Sequence, residues 1–551
     1  MPCHSSLGAS PGSHSIRLSK STAMRGFRLP VVMSLLLVTC LLSSGPELAA
    51  VTLTNLPAVK DLPTVGPPTT TVYVSGTGFD PYVAVDIYFD LTDLALTTTN
   101  GAGAFGAGCG SGICGIAVQV PASAVPGTHW ITAIERFGYK AAQTPFLVRT
   151  DWAQFHFSPN HKGVNPYENV LSPSTVGSIG LHWSYNATGS SPVIADGVVY
   201  FASSGSLYAL NATTGALRWK TSVTGNSYTD PAVANGVVYV GSTDGNLYAL
   251  NGQTGAILWS YTTGEPFTGD PTVANGVVYF GAGEERGYVY ALTAGNGHLL
   301  WRFTTLGQYV PHTPAVANGM VYVGSEGSFT SDENSLYALN ATTGQQVWRY
   351  SATANPFSSP AVANGIVYVG NVDGRVRALN AANGLLLWTF MSERTPVSIE
   401  TCPAVADGTV YVASDDGYLY ALNAYNGFLL WKYDAGQYKP IESSPAVANG
   451  LVYFGSAFTG ALYAVSTATG ALSWYYPADI CQYCSPAVTN GIVYVPSSDG
   501  YLYAFDLTGG QIAQKFKPPL RPEPNLLLPN FALNPSMPVA SILIPSPKGV
   551  E

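Results

Sequence analysis

Few residues of this chain could do chemistry, and most of those are acidic. Asp230 and Asp270 each stand directly before a Pro, 40 positions apart. Glu400 and Glu442 each lie two positions before the equivalent places, and His312 precedes another, Thr313. Carboxylates grouped at one opening would hold a cation or a hydroxyl-rich ligand; the plainer reading makes them polar rim residues in water. Histidine, the commonest acid–base side chain, is scarce among these repeated positions, where only His298 and His312 occur. Cysteine gives two local pairs, Cys109 with Cys114 and Cys481 with Cys484, and leaves Cys402 single. In an oxidising compartment such pairs are disulfide candidates. A zinc site needs four ligands of this kind, and one C-x-x-C does not supply them, so no metal is expected. Arg375 and Arg377 stand where other copies carry tyrosine or a small residue, which suits either stacking on neighbouring aromatic rings or an anion site.

The elements that position these residues are repeats. Residues 191–515 hold eight copies of one unit, of which 230-DPAVANGVVYVGSTDGNLYALNGQTGAILWS-260 is typical. The tryptophans Trp183, Trp219, Trp259, Trp301, Trp348, Trp388, Trp431 and Trp474 recur at a mean step of about 42 residues, the length of a four-stranded propeller blade. Pro-Ala-Val opens a first strand, where a missing N–H is tolerated. Asn-Gly or Asp-Gly follows in every copy and suits a two-residue hairpin with positive φ. A Val-Val-Tyr-Val run, a second turn, Leu-Tyr-Ala-Leu and a Trp-bearing strand complete four strands. Such a sheet is apolar on both faces, so copies must stack, and a closed ring satisfies all of them. The Trp strands are offset by one: Trp183 precedes any full unit, and Ala513 stands where the last Trp should be. The Trp183 strand is therefore expected to complete the blade made by residues 485–507. The predicted fold is all-β, an eight-bladed propeller, with seven blades and a stray unit as the alternative.

The stretch 209-ALNATTGALRW-219, its relatives ending at Trp259, Trp348 and Trp431, and the lead-in from Asp151 to Glu168 resemble quinoprotein (PQQ-like) β-propellers. The resemblance covers about residues 151–517 and implies that the eight tryptophans dock between blades. It also implies, for the enzymes of that family, PQQ over the channel with calcium, an Asp base and, in many, two adjacent cysteines. This sequence has no Cys-Cys dipeptide and no matching constellation, so no catalytic residue is assigned.

Residues 51–150 carry short strand-like runs and resemble bacterial immunoglobulin-like modules, a small β-sandwich. Residues 1–50 read as a secretory signal peptide: basic residues, an apolar run over 29–42, then small residues. Residues 518–551, with nine prolines, read as an extended tail. A net charge of −9 without a basic stripe excludes nucleic acid as the expected partner. The expectation is an exported, monomeric binding or scaffold module without a membrane span, meeting protein or glycan outside the cell. A PQQ-dependent alcohol or sugar dehydrogenase and a structural or adhesive surface protein are the alternatives.

Overall fold

The computed structural model describes residues 56–107, 114–223, 225, 229–327, 334–351, 358–394, 397–436, 439–477, 480 and 484–510. The suggested signal peptide and the Pro-rich tail lie outside them, as do Cys109 and Cys481. The described residues fall into two compact units: one gathers residues 56–61 with Tyr73–Ile116 and Ile131–Thr144, and the other holds the remaining described residues.

The N-terminal part is a small β-sandwich. Ala58–Leu62, Thr71–Thr77 and Ile116–Gln119 form one sheet, and a five-stranded sheet contains Ala84–Phe89, Thr92–Thr98, Gly127–Glu135 and Ala141–Val148. Strand Thr71–Thr77 hides every second residue, as a sheet with one covered face must.

The rest is an eight-bladed propeller of four-stranded antiparallel blades. Blades 1 to 7 occupy residues 193–222, 232–262, 272–304, 315–351, 361–391, 404–434 and 446–477. Blade 8 is made by residues 487–506 together with Gly180–Tyr185, which pairs with Leu502–Asp506. The ring is thus closed by an early strand joined to a late sheet, as the tryptophan offset predicts.

Within each blade the hairpin joining the first two strands takes the left-handed conformation at both central residues, for example Asn235 (φ 51°) and Gly236 (φ 74°), and the same holds in all eight copies. The second strand is buried throughout in blade 1, Val198–Ser203, because sheets cover it on both sides. The outermost strand carries a bulge beside its tryptophan; in blade 4 the register slips between Ala338 and Leu339. That bulge re-aims the indole into the seam.

Seven seams share one arrangement. The indole N–H of Trp348 and the hydroxyl of Tyr322 both donate to the carbonyl of Ala381 in the next blade, at 2.9 and 3.2 Å. The two rings lie 5.9 Å apart. Trp183, Trp219, Trp259, Trp301, Trp388 and Trp431 donate to Ala212, Gly252, Ala294, Ala341, Ala424 and Thr467 in the same way. A glycine with φ near +70° lies under each of these indoles; a Cβ on Gly344 would come within 2.6 Å of Trp301. The eighth seam differs. Trp474 is buried against Phe505 (5.5 Å), and the buried hydroxyl of Tyr453 finds no acceptor among the described residues.

Candidate functional site

A four-stranded blade leaves its innermost strand with an unpaired edge toward the axis, and buried N–H groups there need acceptors. One segment, residues 150–165, supplies them in a single circuit of the ring. Thr150 starts it by exchanging hydrogen bonds with Asn490 of blade 8. Trp152 then exchanges two 2.7 Å backbone bonds with Ile194 of blade 1. The amides of Val233, Val316, Val362, Val405 and Val447, in blades 2, 4, 5, 6 and 7, donate to the carbonyls of Ala153, Pro159, Asn160, Lys162 and Gly163 at 2.6–2.8 Å. Val273 of blade 3 donates to the side chain of Gln154 at 3.1 Å. The circuit ends where Val164–Asn165 runs parallel to Val447–Ala448 of blade 7 and Asn165 donates to Val488 of blade 8.

Side chains of this segment pack at the axis. Phe155 stacks on His156 at 4.6 Å and meets the edge of His161 at 5.4 Å. His161 lies between the Pro360 carbonyl and the Thr272 hydroxyl, 3.2 Å from each. Burial pushes His156 down to about 4 and His161 to about 3, so both are neutral imidazoles over the ordinary pH range. The lead-in was legible as a resemblance; its path around the axis was not, because an irregular chain carries no hydrophobic period.

On one side of this plug, toward the Asn-Gly hairpins, lies a cavity of about 670 Å³ lined by Pro159, Lys162, Asn275, Asn318 and Asp407 among others. On the other face lie the second turns and the connections between blades, and with them the acidic candidates and His312.

There the residues before the eight prolines form a belt. The backbone N–H of Ser191 donates to Asp230 Oδ1 (2.6 Å), that of Asp230 to Asp270 Oδ1 (2.8 Å), and Thr313 Oγ1 donates to Asp270 Oδ2 (2.7 Å). The N–H groups of Thr313, Cys402 and Ser444 donate to the hydroxyls of Ser359, Ser444 and Ser485 at 3.0–3.1 Å. Ser485 N–H donates to Ser191 Oγ at 3.0 Å and carries the belt across the 8–1 seam; among the described residues the belt is open only between Ser359 and Cys402. The structure therefore places Asp230 and Asp270 as inter-blade linkers. Burial raises both carboxyls, and the adjacent Asp270 charge adds to the shift of Asp230. His312 sits beside this pair, with Nε2 3.0 Å from Glu326 Oε1.

Glu400 and Glu442 are brought together by blades 6 and 7, with Asp415 near both. Burial first, then the charges of Glu400 and Glu442, push Asp415 up to about 7. Sequence reasoning missed Asp415. Its signal was the doubled acid of Ser414-Asp415-Asp416-Gly417, where blades 2, 5 and 8 have one acid before the glycine. Among the described residues no three His, Cys, Asp or Glu side chains are grouped as a metal site requires.

Among the described residues Arg377 meets a carboxylate rather than an aromatic ring. It binds Asp373 of its own second turn at 2.5 Å, and Arg375 binds the same carboxylate at 2.9 Å. Tyr248, Tyr420 and Tyr503 do that work elsewhere, donating to Asp244, Asp416 and Asp499. Cys484 is disulfide-bonded, to a partner outside the described residues; Cys402 is a buried thiol in the belt and Cys114 is exposed.

PQQ, the group the resemblance implies, is a planar tricarboxylic quinone and calls for cationic donors. The described belt and the positions beside it present carboxylates, hydroxyls and the Cys402 thiol, with the described oxygens of Asp270 and Oδ1 of Asp230 already engaged and the His312 imidazole held by Glu326. These residues do not fit that group.

Comparison with known proteins agrees with the fold. A 207-residue stretch is 28% identical to tetrathionate hydrolase of Acidithiobacillus ferrooxidans, covering 37% of this chain and 36% of that protein. A 123-residue stretch is 28% identical to outer membrane protein assembly factor BamB of Yersinia pestis, covering 21% and 31%. The chain thus spans about a third of the length of these curated relatives. Quinohemoprotein alcohol dehydrogenase from Comamonas testosteroni superposes with a TM-score of 0.56 at 19% identity, over 67% of this chain and 82% of that one, a likeness of fold. The family model described as outer membrane protein assembly factor BamB matches residues 168–284 and 285–516, more than half of the chain, and the protein belongs to this PQQ-like β-propeller family.

Proposed function

We propose that this protein is an exported binding or scaffold propeller that meets its partner through the face bearing the blade connections. The observation that carries this reading is the belt. Positions facing the axis on that face hold the blades together, and beside them Glu400, Asp415 and Glu442 form an acidic patch suited to a cationic group of a protein partner. A photo-crosslinking residue placed at Glu442 is expected to capture a partner in the native exterior fraction, while the same residue at Asn235 on the opposite face captures none. Equal capture at both positions contradicts the reading. Addition of PQQ and calcium is expected to give no dye reduction with alcohols or aldoses; reduction would replace this proposal with a dehydrogenase.

A hydrolytic reading has one observation in its favour. Asp415, poised near pH 7, suits general acid–base work, and one relative carries the name tetrathionate hydrolase. Consumption of tetrathionate that disappears in Asp415→Asn would establish it.

A further inference from the structure

The N-terminal sandwich carries three aromatic side chains almost wholly in water: Tyr82 at 81%, Phe137 at 94% and Tyr139 at 105% relative exposure. One bare ring on a surface is ordinary, but several grouped together mark an interaction site. They share one end of the sandwich. Val85 pairs with Glu135 and Ala84 with Thr98, so the loop before strand Ala84–Phe89, the turn after Gly127–Glu135 and the loop after Thr92–Thr98 emerge side by side. Leu91, also bare, belongs to the turn at the opposite end.

The loops that hold the rings are tied to one another. Tyr82 donates its amide to Asn100, Thr99 Oγ1 donates to the Asp80 carbonyl at 2.6 Å, and Asp80 donates its amide to Glu135 Oε1 at 2.7 Å. Tyr82 takes a left-handed φ of 59°, unfavourable for an aromatic residue. Its phenol end lies over Gly101, where a Cβ would approach the hydroxyl to 2.6 Å. The Tyr82 ring is thus held in place and the turn that carries the other two is tied to its loop, which lowers the entropic cost of binding.

Charge selects the ligand. Lys140 pairs with Asp80 at 2.8 Å and Arg136 with Asp86 at 2.5 Å, leaving Glu135 as the surplus charge. An anionic lipid surface needs a basic excess that this tip does not have. Bare rings with a phenolic hydroxyl beside paired polar groups match a neutral ligand with apolar C–H faces and many hydroxyls. We propose that Tyr82, Phe137 and Tyr139 form a platform that binds neutral polysaccharide by stacking on pyranose rings.

Affinity electrophoresis of the full chain through gels containing laminarin, hydroxyethylcellulose, galactomannan or amylopectin tests this. At least one polysaccharide is expected to retard the wild type. Tyr82→Ala and Phe137→Ala should each weaken that retardation about tenfold, while Tyr82→Phe keeps most of it. Unchanged melting temperatures would show that these surface variants fold. Retardation by none of the four, retardation indifferent to the substitutions, or rings required instead for binding phosphatidylglycerol vesicles would each overturn the proposal.

Discussion

Asp415 and the two axial histidines respond to pH in opposite senses. Asp415 is raised to about 7, so its neutral form suits the fold; its contribution to stability is complete below the unfolded carboxyl value and is lost as pH rises through 7. Titration followed by carboxyl-carbon NMR is expected to show a midpoint near 7. In Glu400→Gln/Glu442→Gln that midpoint should fall without reaching the ordinary range, because burial is the larger cause. His156 and His161 are lowered to about 4 and 3, so the stability they support is complete above about pH 6.5 and is lost as pH falls toward those values. Thermal melts across pH 3–7 should show that loss, and His156→Phe, which also removes an unpartnered buried Nε2, should flatten it. At this scale the sequence was least informative. Asp230 and Asp270 were visible as acids before prolines, but their use as acceptors for a neighbouring blade's amides depends on where eight separate strands converge.

At the scale of the element, the seam is the repeated unit of stability. Trp348→Phe removes an N–H donor to Ala381 and part of the surface over Gly384, and should cost about 1–3 kcal/mol in denaturant unfolding. Trp474→Phe, at the seam that lacks the shared carbonyl acceptor, should cost less. Gly344→Ala should destabilise by a similar 1–3 kcal/mol, since its φ of +71° and the Trp301 ring both oppose a Cβ. These elements were legible beforehand. Asn-Gly turns, Val-Val-Tyr-Val runs and regularly spaced tryptophans each carry a local signal, and all point to the same blade. Arg377 shows where local reading fails. The substitution for tyrosine was plain, but the function kept by both residues, latching the aspartate four positions earlier, becomes visible only when Tyr248, Tyr420 and Tyr503 are compared in place.

At the scale of the whole molecule, two circuits and a belt broken at one place coincide. The seams join outer strands to the next blade, the belt joins the residues before the prolines, and residues 150–165 join the innermost strands around the axis. The offset of the tryptophans foretold the first closure; nothing in the composition foretold the other two. With the axis occupied by Phe155, His156 and His161, the binding proposed for the propeller falls to its faces. Hydrogen exchange of the six axial amides, Val233, Val273, Val316, Val362, Val405 and Val447, tests this most directly. All six are expected to be strongly protected in the native protein. In Gly163→Ala, where a Cβ would press within 2.8 Å of His156 and 2.9 Å of Ala404, they should lose protection together. Rapid exchange of these amides in the wild type, as in an open water-filled channel, would contradict the account.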